Sequence, residues 1–121
     1  MTLQELINEY KEQAIICSKI NYSQKKSINA NNITIKRMYE IVDSINYQFG
    51  TEGAEEFTKL YDMKDYNLNV LSATHSLEKM NLGREEKEKA LDIIKEVAKH
   101  NDTQGLGFKR WLKDYEAKNK K

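Results

Sequence analysis

The chain has 121 residues, a formal net charge of +1, five glycines, one cysteine and no proline, where an average soluble chain of this length carries about six prolines. One cysteine excludes an internal disulfide, the scarcity of proline and glycine argues against a turn-rich β-sandwich or a disordered linker, and no apolar run approaches the roughly 18 residues of a membrane span. What remains is a single all-α domain over residues 1–121, expected to be cytoplasmic because Met1–Glu5 shows no signal-peptide pattern and Cys17 stands alone.

Helix one opens on a capping box, Thr2 with Glu5, and buries Leu3, Leu6, Ile7, Tyr10, Ala14 and Cys17 on one face before the pattern fades at Asn21 and Tyr22. Ser23 is the expected N-cap of a long second helix that carries Ile28, Ile35, Met38, Ile41, Val42, Ile45 and Phe49 inward; the poor helix formers Asn29, Asn31 and Asn32 leave a start after Asn32 as the alternative. Gly50 is its natural stop. Thr51 should cap a short third helix, with Ala54, Phe57, Leu60 and Tyr61 inward and a loop from Asp62 to Lys64.

Asp65 is the expected cap of helix four, whose apolar set (Leu68, Val70, Leu71, Ala73, Thr74, Leu77, Met80) covers so much of its circumference that it belongs in the middle of the bundle. It should end at Asn81, Leu82 and Gly83. Helix five is expected from Arg84 to His100, with Ala90, Leu91, Ile94, Val97 and Ala98 inward. Its glutamates 85, 86 and 88 come early and Lys95 and Lys99 late, as the helix dipole favours. After a polar loop from Asn101 to Gln104, a last helix should begin near Gly105–Gly107 and anchor the domain through Phe108, Trp111, Leu112 and Tyr115. Six helices joined by short loops, with two consecutive hairpins over 23–61 and 65–100, suggest a HEAT-like stack, an α-α superhelix.

Chemistry-bearing clusters are few. Cys17, His75 and His100 lack metal-ligand spacing, so no metal and no cofactor is expected. Ser72, His75 and Ser76 share one helical turn, but no adjacent acid or glycine elbow accompanies them; packing is the expected role, and no catalytic residue is assigned. Gly105-Leu106-Gly107 precedes a helix without the Gly-Lys-Ser/Thr ending of a phosphate loop and reads as a turn. Charge is uneven: Lys109, Arg110, Lys113, Lys118, Lys120 and Lys121 face only Asp114 and Glu116, leaving a net of −3 over residues 1–108. A basic flexible tail is expected from about 117.

The stretch from Leu68 to Leu77 resembles the signature of a small uncharacterised bacterial family of HEAT-like domains. Ala73, Thr74, His75 and Leu77 match it, whereas Leu71 stands where tryptophan is common, Asn69 replaces an arginine and Ser76 a leucine. The opening Leu3–Ile7, Lys25-Lys26 with Asn29, and Gly107-Phe108 with Leu112 and Tyr115 are also similar to the family, over about residues 2 to 116. The resemblance implies the fold and, by analogy in size, a likeness to the small immunity proteins that bacteria keep beside toxin genes.

The function expected is therefore a non-catalytic protein-binding module, not an enzyme, with a cognate toxin as the specific partner and occlusion of its active site as the mechanism. Its contact residues are expected at Glu52, Glu55, Glu56, Lys59 and Tyr61. The alternative is nucleic-acid binding through the basic C-terminal end. No membrane partner is expected.

Overall fold

The computed structural model describes residues 1–19 and 25–119. Among them the fold is all-α: α1 (Leu3–Ser18), α2 (Lys25–Phe57), α3 (Leu68–Lys79), α4 (Arg84–Ala98) and α5 (Thr103–Asn119), with 3-10 turns at Thr58–Asp62 and Asp65–Asn67. The six expected helices are present as five elements, because the second and third run into each other. Gly50 still breaks their path, at φ 51° and ψ −126°, a backbone conformation open to glycine and closed to side-chain-bearing residues. No helix among the described residues is long and apolar enough to cross a membrane.

The Thr2–Glu5 capping box forms as expected, and the amides at the start of α1 are satisfied by it. Helix α2 begins at Lys25, which sets aside a start after Asn32; Ser23, its expected cap, lies outside the described residues. Two expectations at later helix starts are corrected. Asp65 does not cap α3. Tyr66 and Asn67 adopt left-handed conformations (φ 55° and 59°), so the helix starts at Leu68 with Asn67 at its N-cap. That delay carries Asp65 out of reach of the free amides. The last helix starts at Thr103, earlier than the glycines, because the Asp102 carboxylate accepts the Gly105 amide at 2.7 Å. Gly105 itself permits a close approach, since a Cβ there would lie 1.9 Å from the His100 carbonyl oxygen.

Each helix packs on the next in the chain, and α3 also meets α1 and the first 3-10 turn. One core joins Leu6, Ile7, Tyr10 and Ala14 of α1 to Met38, Ile41, Val42 and Ile45 of α2, sealed by Phe57 and Leu60. A second joins Tyr61, Ala73 and Leu77 to Ala90 and Ile94 of α4, with one side of α5 laid over it. Helix α3 is buried at eight of its positions, as its broad apolar face predicts. Its small residues Ser72, Ala73 and Ser76 are fully buried, which lets neighbouring backbones come close. Glu9 and Arg37 tie α1 to α2 through a two-pronged ion pair.

Trp111 corrects a further expectation: it is only half-buried at the rim of the second core. Helix α5 packs chiefly on α4, and its aromatic face reaches α3 only at the edge, where Trp111 bonds to a side chain of that helix. The helix continues to Asn119, so the tail expected from 117 is helical up to that residue; Lys120 and Lys121 lie outside the described residues.

Candidate functional site

The polar residues of α3 are held inside the fold. His75 is 3% exposed and its Nδ1 shares a 2.8 Å hydrogen bond with the Tyr10 hydroxyl. The Tyr39 ring covers it at 4.4 Å between centroids. Burial pulls the imidazole pKa down to about 4, so it is neutral at physiological pH, because a charge there would lose its hydration. Tyr10 is likewise driven upward by burial and keeps its proton. The Ser76 hydroxyl is bonded to the Tyr61 hydroxyl, and Ser72 donates to the Leu68 carbonyl at 2.6 Å. Every buried side-chain nitrogen and oxygen among the described residues has a partner. Its bonds are the satisfaction that buried polar groups require.

The residues expected to meet a partner separate into two groups. Glu52, Glu55 and Lys59 are exposed, and Glu56 is half-exposed and takes Lys59 in an ion pair at 2.8 Å. Tyr61 is not with them. It is 4% exposed, its ring belongs to the second core and its hydroxyl, pushed up to about 12 chiefly by burial, is turned to Ser76. In its stead the bend offers Tyr47, which is 90% exposed just before the Gly50 break. Its position was legible: Tyr47 falls two residues from both Ile45 and Phe49, off the inward stripe of α2.

Two grooves mark the remaining surface. One, of about 210 Å³, runs past Cys17, Tyr66, Leu71 and Phe108; Cys17 there is half-buried, with its thiol pushed up by desolvation. The other, of about 510 Å³, lies between the end of α3 and the outer half of α5. Among its lining residues is the exposed Glu78, whose Oε2 accepts from the Tyr39 hydroxyl and whose Oε1 accepts from Trp111 Nε1, both at 2.8 Å. Trp111 and Tyr115 stack beside it, 5.1 Å apart and 10° from parallel. On α5 the exposed Lys109, Arg110, Lys113 and Lys118 are interleaved with exposed Asp114 and Glu116. Among the described residues no three His, Cys, Asp or Glu side chains converge as metal ligands do.

Among known proteins, no family model, no curated protein and no solved structure matches the chain.

Proposed function

We propose that this chain is a non-catalytic, HEAT-like protein-binding module, and specifically an immunity protein that covers the active site of a bacterial toxin. The observation that supports it best is the division of its polar groups. The hydroxyls and imidazole that could do chemistry are buried and bonded to each other, while the bend at Gly50 offers the exposed Tyr47 with Glu52, Glu55 and Glu56. Exposed tyrosines are enriched among the residues that carry binding energy at interfaces. The carboxylates suit a basic surface, such as one that handles a polyanionic substrate, and would steer its approach. Occlusion requires a contact on the order of 1,600 Å², which the bend and the adjoining faces of α2 would supply.

The test is co-expression. Each gene adjacent to the one encoding this chain is expressed alone and together with it, and growth is followed. A product that arrests growth alone and is silenced by this chain supports the proposal. If no neighbouring product is toxic, the immunity reading fails.

A further inference from the structure

We propose that the groove between the end of α3 and α5 is a recognition site for one arginine side chain of a partner polypeptide. The Glu78 carboxylate is fixed before any ligand arrives. Tyr39 donates to one of its oxygens and Trp111 to the other, and each carboxylate oxygen carries two lone pairs. One acceptor direction therefore remains on each oxygen, which is the demand of a bidentate guanidinium. Beside the carboxylate stand the nearly parallel Trp111 and Tyr115 rings, and a planar guanidinium packs against aromatic faces where a compact, strongly hydrated ammonium gains less. Asp114 lines the same groove and adds a second negative charge.

Lys79 is turned toward α2, with its Nζ 4.0 Å from Asp43 Oδ2 and 5.7 Å from the Tyr39 ring centroid. Lys118, one turn beyond Asp114, is the second groove lysine among the described residues and competes with the incoming charge. The groove has a volume of about 510 Å³, at the size of sites that take a small ligand, so one side chain enters it with room for its flanking backbone. The inference rests on the protein-binding reading only for the source of the arginine.

Trp111 is the chain's single tryptophan, so its fluorescence reports on the groove directly. The probe is a capped pentapeptide with one central arginine between alanines and glycines, titrated into the full chain; its lysine and glutamate counterparts are the comparisons. A saturable change is expected with the arginine peptide, about fivefold weaker with the lysine peptide and absent with the glutamate peptide. Glu78→Gln and Asp114→Asn should each weaken the peptide, Glu78→Gln by about tenfold, and Lys118→Ala should tighten it by about threefold. A gain of affinity at Lys118→Ala cannot come from misfolding.

The proposal is overturned if no saturable change occurs up to about 10 mM peptide, if arginine and lysine peptides bind alike, if the glutamate peptide binds best, or if both acidic-site variants bind as the parent does. The titration needs no toxin. A silent groove beside an intact rescue in co-expression removes the groove alone, and a responsive groove without any toxic neighbour removes the toxin reading alone.

Discussion

Tyr10 on α1 and His75 on α3 share a buried hydrogen bond of 2.8 Å across 65 residues of chain. The bond joins the first and middle helices at the point where the Tyr39 ring of α2 covers His75. It gives the interior a polar seam inside an apolar core, and low-dielectric surroundings make such a seam costly to leave half-satisfied.

Acid should loosen this seam. The His75 pKa is about 4 in the fold against an ordinary 6.5, so between those values the unfolded chain binds more protons than the folded one. The penalty that His75 imposes is therefore nearly absent above pH 6.5, grows as pH drops through the interval, and is complete below about pH 4, at a total on the order of 3 kcal/mol. Urea midpoints taken across that range should fall for the parent chain, and the fall should be reduced by that amount in His75→Gln. An equal slope in the variant would place the acid sensitivity elsewhere.

Tyr10→Phe keeps the ring and its edge-on contact with Phe57 at 4.9 Å but strips His75 Nδ1 of its partner. The expected loss is about 1–3 kcal/mol, the cost of an unsatisfied buried polar atom. In a double-mutant cycle with His75→Leu, the second removal should cost clearly less than the first, since no orphaned group then remains. Additive losses would mean that the pair is not coupled.

The two glycines of Gly105-Leu106-Gly107 should behave oppositely. A Cβ at Gly105 meets the His100 backbone oxygen, whereas nothing lies within 4 Å of one at Gly107. Gly105→Ala must displace the start of α5, and its cost should exceed about 1 kcal/mol with a red-shifted Trp111 emission. Gly107→Ala removes helix-interior backbone freedom and should raise stability by up to about 1 kcal/mol. Thermal melts of the two variants compare them directly.

Tyr61 and Tyr47 allow the fold and the proposed contact to be separated. Tyr61→Phe deletes the hydroxyl bonded to Ser76 and should lower stability by about 1 kcal/mol without affecting partner neutralisation. Tyr47→Ala removes a ring that is 90% exposed; it should leave the melting temperature unchanged while weakening the partner by about tenfold or more, as hot-spot truncations do. The reverse pattern would place the contact away from the bend.

How much of this could be read from residues alone follows from the physics of each feature. The inward stripes of α1 and α2 were legible because helical periodicity is a local property: Leu6, Ile7, Tyr10, Met38, Ile41 and Ile45 are all buried, as their spacing predicts. The central position of α3 was legible for the same reason. The start of α3 was not, because two consecutive left-handed residues, one of them tyrosine, have no compositional signal. Tyr61 followed the inward stripe of its segment, and reading it also as a contact residue set two roles against each other; burial decides for the core. The i, i+3, i+4, i+7 pattern predicts Trp111 as an anchor, but periodicity gives a face and not its depth, and the ring lies half-buried at the rim of the core. The Glu78 arrangement was invisible, since it joins residues 33 and 39 positions apart that only the packed helices bring together.

The proposed contact surface lies at the bend at Gly50, and one measurement reaches it most directly: growth of cells that co-express a neighbouring product, once one is found toxic by itself, with Glu52→Lys/Glu55→Lys in place of the parent chain. Both side chains are exposed, so the substitutions should leave the stability within about 0.5 kcal/mol of the parent's. The account predicts that the parent chain restores growth and the charge-reversed chain, equally folded, does not. Rescue by the charge-reversed chain at the parent's level would contradict it.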